Sequence, residues 1–419
     1  MTRSPLLPRL LLAAYLLLLA VAVLTPTPPP HPPDPLAPEA PIVGLVADLV
    51  RNLVLMLPLG WLLAASGVSF ARTVVAGLAL SLGIELAQRA IPGRHSTLSD
   101  VVANSASAAA GALLYASRFA WRPPDGLNAR RLAIGSLAAA WAVLGLGVQA
   151  LRPSLRGTEF FAGLRPELGQ YETYAGRVVS ARIGARALPS GPIAGDAAFI
   201  AALEADEPIA VAAELRPSER DPAALLTILN AEQDELFVLG ADGDDLFVAI
   251  RLRSADLGLD APVHRWSGVL ADADADADAS AASSTALAEI RLERRPGAVE
   301  LWIDGRSLGV RRWRPGDVGA LLLSGRVLPA WAADGLAVAT IALLALPCAY
   351  YARSLLPPTL GLAILLLLLP RFGPVSGPTA VDWIGLALGV AAARVARALF
   401  RRRGARSDLP GLSKASWWC

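Results

Sequence analysis

The sequence predicts an α-helical polytopic membrane protein of about eight transmembrane helices, carrying an inserted all-β sandwich domain of jelly-roll type on the extracytoplasmic side. Three observations carry that prediction. Of 419 residues, 54% are hydrophobic and 18% charged, against the roughly 25% charge usual in soluble domains. The apolar excess is concentrated in runs of about 16 to 22 residues towards both ends, the length that crosses a hydrocarbon core of about 30 Å. Between them, residues 152–328 alternate in short strand-like segments bounded by turn residues.

The first run, 6–24, follows Arg3 and Arg9 and precedes a proline-rich stretch, 25–41, without a small-x-small cleavage pattern, so it is read as a retained helix. Runs at 42–65, 70–87, 98–117 and 132–151 follow, each ended by Pro, Gly or charge. After the polar middle come 331–351, 355–369 and 381–400. Residues 1–151 thus form a block of five helices, 329–400 a block of three, and 401–419 a basic tail. Arginine placement tests the count, because cytoplasmic loops are enriched in Lys and Arg. Arg3, Arg9, Arg72, Arg118, Arg122, Arg130, Arg131, Arg353, Arg401, Arg402, Arg403, Arg406 and Lys414 all fall on one side, whereas the short opposite loops hold Arg89, Arg94 and Arg371. Both termini are therefore expected in the cytoplasm and the middle domain outside. The Arg-rich composition, with Lys414 the sole lysine, suits a high-GC bacterial coding sequence and hence the bacterial inner membrane. A net charge of +2 gives no global field for nucleic acid.

In the middle region the candidate strands are 177–183, 208–215, 224–230, 235–239, 245–253, 287–293, 299–303, 307–311 and 318–323. Gly240-Ala-Asp-Gly243 and Arg295-Pro-Gly297 separate alternating runs, and Asp304-Gly305 is the strongest two-residue hairpin signal in the chain. The Asp-Ala repeat at 271–284 is read as a mobile surface loop. The only cysteines, Cys348 and Cys419, lie outside this region, so it must be held by a packed core.

Ionisable residues within membrane segments are costly and therefore informative. Asp48 and Asn52 share a helix face, with Arg51 between them and Pro58 expected to kink the same helix. Glu85 and Gln88 share a face at the end of the third run, and Arg94, His95, Ser96, Ser99, Asp100 and Asn104 follow. An antiparallel third and fourth helix would bring these groups together near the outer surface. Asp48, Asn52, Glu85, Gln88, Arg94, Asp100 and Asn104 are the ligand-binding candidates, with Arg94 meeting an anionic head group and Glu85 or Asp100 available as acid or base. A purely structural reading makes the same residues a buried ion-pair and hydrogen-bond network that fixes helix order.

Asn52 with Pro58-x-Gly60, Ser81-Leu-Gly-Ile-Glu85-Leu-Ala-Gln88, Gly93-Arg94, Asp100-Val101, Asn104 and Gly111 form a pattern that resembles the VanZ-like family of bacterial membrane proteins. The resemblance implies a cell-envelope role and an association with glycopeptide resistance. The middle region resembles the concanavalin A-like, laminin-G type fold through 288–293, Arg294-Arg-Pro-Gly297 and 299–306, which implies glycan or protein binding, sometimes with calcium. Trp266 and Trp313, near loops, are the candidate sugar-stacking platforms, with His264 and Arg265 as neighbouring polar groups, whereas Trp302 is expected in the core. Asp242, Asp244 and Asp245 are weak calcium candidates and stronger turn formers. Three histidines, His31, His95 and His264, offer little for a histidine metal centre.

These readings combine into an envelope protein whose helices engage a lipid or lipid-linked head group while the outer domain recognises cell-wall or exopolysaccharide glycan. The competing readings are an enzyme performing acid-base chemistry on a lipid-linked precursor and a transporter.

Overall fold

The computed structural model describes residues 6–24, 42–91, 98–117, 127–155, 157, 159–167, 171–193, 196–219, 221–259, 263–271, 287–295, 297–322, 330–352 and 354–407. Nine α-helices lie among them: α1 (Leu6–Leu24), α2 (Ile42–Ala65), α3 (Phe70–Gln88), α4 (Leu98–Ala116), α5 (Leu127–Ala150), α6 (Asp196–Glu204), α7 (Ala330–Tyr351), α8 (Leu356–Phe372) and α9 (Ala380–Ser407). All except the short α6 coincide with the eight apolar runs. Among the described residues, three stretches (Phe70–Gln88, Leu127–Ala150 and Trp331–Tyr351) have the length and hydropathy to cross a membrane by themselves. Leu17, Val75, Leu86, Leu146, Leu343 and Val395 stand exposed on α1, α3, α5, α7 and α9, as lipid-facing side chains do.

Two helix pairs close on small residues. A Cβ at Gly60 on α2 would lie 2.7 Å from the carbonyl carbon of Ala108 on α4, and one at Gly111 on α4 would lie 2.8 Å from the Trp61 nitrogen. On α9, Gly385 and Gly389 face the Val338 and Ala342 carbonyls of α7 in the same way, at 2.7 and 2.5 Å. Small residues one turn apart let backbones approach where no hydrophobic effect drives association.

The β domain has twelve strands: β1 (Phe160–Leu164), β2 (Val178–Ile183), β3 (Arg186–Leu188), β4 (Gly191–Pro192), β5 (Ile209–Ala213), β6 (Ala223–Asn230), β7 (Glu235–Asp242), β8 (Asp245–Ile250), β9 (His264–Trp266), β10 (Ala288–Arg295), β11 (Ala298–Ile303) and β12 (Arg306–Arg312). They form two six-stranded sheets of order β4-β1-β6-β7-β8-β9 and β12-β11-β10-β5-β2-β3. Neighbouring strands are antiparallel throughout. Alternate residues of both sheets, among them Ile228, Phe237, Val211, Ile290 and Leu301, enter one hydrophobic core. That core continues into α5, α7, α8 and α9 through Leu144, Val148, Ile341, Leu366 and Leu386. The opposite face of the first sheet carries a smaller cluster of Ala224, Val238 and Phe247 beside Tyr171.

Asp304 and Gly305 both adopt positive φ, 47° and 78°, as the two-residue turn between β11 and β12 requires. Asp242 pairs with Asp245, so the β7–β8 turn is Gly243-Asp244, tighter than the Gly240–Gly243 spacing suggests. Of the expected strand at 318–323, residues 318–322 belong instead to a 3-10 helix, Pro315–Leu322, and residue 323 lies outside the described residues. Gly316 and Gly319 lay this segment against α7, where their Cα atoms approach Ala337 and Thr340 too closely for a side chain. The Asp-Ala repeat beyond 271, and Arg94, His95 and His31, lie outside the described residues.

The β domain is locked to the ends of the last three helices. Arg314, just after β12, pairs with Asp317 at 3.0 Å and with Asp334 of α7. Asp382, near the start of α9 and wholly buried, accepts from the Gly316 nitrogen at 3.0 Å, the Thr379 nitrogen at 2.8 Å and the Thr379 hydroxyl at 2.9 Å. Burial raises the pKa of the Asp317 carboxyl, opposed by the adjacent Arg314 guanidinium. Gln149 and Arg152, at the end of α5, both donate to the Phe372 carbonyl at the end of α8, the latter at 2.7 Å.

Candidate functional site

Helices α2 and α4 run parallel, with Asn52 beside Asp100 and Gly60 beside Ala108, and α3 runs antiparallel between their polar residues, with Gly77 near Ala108 and Ser81 near Asn104. The Gly60–Ala108 and Gly111–Leu57 approaches hold the first pair in register, which fixes where the polar side chains meet. Asn52 Nδ2 donates to Asp100 Oδ1 at 2.9 Å. Asn104 Nδ2 donates to Ser81 Oγ at 3.0 Å, and Ser81 is completely buried. Glu85 and Gln88 are each only 8% exposed and Asn104 5%. Glu85, Gln88 and Asp100 all have interacting partners. Asn104 Oδ1 is buried with no hydrogen-bond partner among the described residues, an acceptor that a donor group would satisfy.

This polar end lies on the same side as the β domain. Arg51, one residue before Asn52, donates through Nη2 to the Gly258 carbonyl at 3.2 Å, joining α2 to the turn that follows Ala255–Leu257. Of the seven residues singled out on the helices, Asn52, Glu85, Gln88, Asp100 and Asn104 occupy this end of α2, α3 and α4. Asp48 is four residues before Asn52 on α2, but its side chain is outside the described residues, as is Arg94. Ser81 joins the group as the partner of Asn104; its place four residues before Glu85 was the available signal.

The arrangement offers carboxylates, amides and a hydroxyl within a largely buried helix interface. That chemistry suits hydrogen bonding to a polar head group.

In the β domain the rings singled out for sugar stacking are packed away. Trp266 is 1% exposed, and its Nε1 donates to the Gly309 carbonyl at 3.0 Å, tying β9 of one sheet to β12 of the other. Trp313 is 8% exposed and lies 3.8 Å, centroid to centroid, from His264. A stacking platform needs an open ring face, and the three-residue strand β9, hidden in the sequence among turn residues, closes these two. Trp302, expected inside, is half-buried. His264 is itself buried, and desolvation, with Arg311 adding repulsion, pushes its pKa down to about 3, so its imidazole is neutral. Tyr174 is pushed up to about 12 by burial, opposed by Arg216; its hydroxyl donates to the Glu214 carbonyl and accepts from the Arg216 nitrogen, both at 2.8 Å.

The acidic hairpin is bound internally. Arg265 pairs with Asp245 at 2.9 Å and with Asp242, and Asp245 also accepts from the Gly268 nitrogen at 2.7 Å. Among the described residues no group of three or more His, Cys, Asp or Glu is arranged to hold a metal ion. Asp242 and Asp245 thus serve the turn and its neighbouring strand.

The VanZ/LLP1 family model matches residues 12–120, which covers most of α1 and all of α2, α3 and α4 together with the whole polar cluster. The β-sheet region lies beyond that match. No curated protein and no solved structure matches the chain.

Proposed function

We propose that the VanZ/LLP1 domain engages the head group of an envelope lipid or lipid-linked precursor at the polar end of α2, α3 and α4. The observation that carries this reading is the convergence of Asn52, Ser81, Glu85, Asp100 and Asn104 at one helix end, with the Asn104 Oδ1 acceptor left unpaired among the described residues. A network built only to fix helix order gains nothing from a buried unpaired acceptor. The β domain stands over the same end through the Arg51–Gly258 contact, which suits a role in framing access to the site. Glycan recognition by this domain would have to use surfaces other than the Trp266 and Trp313 rings.

The test is retention of lipid by the full-length chain. Glu85→Gln and Asp100→Asn keep size and hydrogen-bonding capacity while removing charge. Reduced retention of a lipid or lipid-linked species at normal protein yield supports a head-group site. Unchanged retention at normal yield sinks it, and a collapse of yield for both variants assigns the cluster to helix packing.

A further inference from the structure

A second site of different chemistry lies at the foot of the β domain. A cavity of about 480 Å³ opens where the β10–β11 hairpin meets the end of α5 and the link between α8 and α9. Its position is set by Pro153, three residues beyond the end of α5, and by Pro374 in the short link between α8 and α9. Gly297, with φ 71°, brings the hairpin against that link so tightly that a Cβ would lie 2.7 Å from the Pro374 carbonyl carbon. The cavity therefore sits beside the end of α5, a helix long and apolar enough to cross a membrane, and a bilayer spanned by α5 would bring its head groups to that end.

Its charged lining is three arginines, Arg253, Arg294 and Arg295, and two carboxylates, Glu204 and Asp206, a surplus of one positive charge. Arg294 is 7% exposed and its ion pair to Asp206 is 3.4 Å long; Nη2 also donates to the Leu203 carbonyl, and Nε is buried without a partner among the described residues. Arg295 pairs with Glu293 and Glu300 at the longer distances of 3.6 and 3.7 Å. Arg253 is exposed and has no ion pair among the described residues. A buried guanidinium with so weak a counter-ion is poorly compensated. Beside it the wall is apolar, formed by Leu155, Val299, Trp313 and Pro374. Cationic donors next to an apolar wall at a membrane boundary match an amphiphile that carries an anion.

We propose that this cavity seats the phosphate of an anionic phospholipid head group, held by Arg253, Arg294 and Arg295. The site is separate from the α2–α4 cluster and stands without it. Arginine is suited to this task because its planar fork meets phosphate oxygens two at a time. Seating the lipid there would also fasten the β domain to the bilayer along the edge where the hairpin meets the α8–α9 link.

The experiment uses the full chain in neutral detergent, titrated with short-chain phosphatidylglycerol, short-chain phosphatidylcholine and inorganic phosphate, with the melting temperature and bound fraction as readouts. Phosphatidylglycerol is expected to bind about tenfold more tightly than phosphatidylcholine, which carries the same phosphate but adds a quaternary ammonium that the three guanidiniums repel. Arg253→Ala, an exposed position, is expected to weaken phosphatidylglycerol binding several-fold while leaving the ligand-free melting temperature unchanged. Arg295→Ala provides a second surface variant should Arg294→Gln fail to fold. Equal affinity for the two lipids, or unchanged phosphatidylglycerol affinity in both surface variants, overturns the proposal. Inorganic phosphate binding as tightly as phosphatidylglycerol overturns the lipid assignment in favour of a soluble phosphate.

Discussion

Replacing Gly60 by alanine should destabilise the helix domain, and the same change at Gly83 should not. At Gly60 the added methyl would lie 2.7 Å from the Ala108 carbonyl carbon and 2.9 Å from its Cα, whereas carbon atoms settle at about 3.5–4.0 Å. The obstacle is backbone, so α2 and α4 must separate by about 1 Å, and overpacking of this kind costs about 1–3 kcal/mol. At Gly83 on α3 an added methyl would meet nothing within 4 Å, so Gly83→Ala gains helix propensity worth about 0.5–1 kcal/mol. Opposite signs from one substitution type remove any general effect of alanine. The assay is thermal unfolding of the full-length chain in one detergent, followed by size-exclusion fluorescence. Gly60→Ala equal to wild type, or both variants shifting the same way, would refute the parallel α2–α4 register that aligns Asn52 with Asp100.

Asp382→Ala removes the acceptor of three hydrogen bonds from Gly316 and Thr379, and should destabilise by about 2–4 kcal/mol through buried unpaired donors; Asp382→Asn should lose less in the same melt. Stability should also fall on acidification through His264. Its folded pKa of about 3 lies below the ordinary 6.5, so the unfolded chain binds the proton first and stability declines from about pH 6.5 downward, by about 2 kcal/mol at pH 5. His264→Phe should flatten that part of the melting temperature–pH profile, and an unchanged slope would remove His264 as its source. Gly297→Val combines a positive φ with the Pro374 contact and should loosen the junction, seen as faster proteolysis at the β10–β11 hairpin and the α8–α9 link.

The helices at the eight apolar runs were legible because a long apolar helix leaves a compositional signature that local context does not erase, and among the described residues three of them have the length and hydropathy to cross a membrane. The Asp304-Gly305 turn was legible for a local reason as well, since both residues must take positive φ. The approach of the Ser81–Glu85 turn to Asn104 follows from helical spacing once α3 and α4 are antiparallel, whereas the Asn52–Asp100 contact depends on the parallel packing of α2 on α4, which the spacing did not give. What failed was decided by tertiary contacts. Residues 318–323 alternate like a strand, yet Gly316 and Gly319 dock Pro315–Leu322 on α7 as a 3-10 helix. Strands β1, β3, β4 and β9 and helix α6 are short or mixed in pattern, and the strands exist because neighbouring strands supply their partners. Trp266 read as a surface ring because β9 spans three residues; its burial comes from pairing with Leu246 and from the Gly309 bond. The role of Asp382 came only with the fold, because its partners on Gly316 and Thr379 include backbone groups that carry no sequence label. The Arg294-Arg295 pair likewise read as a hairpin feature, and only the fold brings it to Arg253 and Pro374.

Whether the polar end of α2, α3 and α4 holds a lipid head group is decided most directly by native mass spectrometry of the full chain, exposed in detergent to a total membrane lipid extract. Wild type is compared with Asn104→Leu, which removes both the Ser81 bond and the unpaired Oδ1. A phosphate-bearing or lipid-linked species is expected to be retained by wild type and reduced about tenfold in the folded variant. Equal retention by the two proteins, or no retained species in wild type, would contradict a head-group site there.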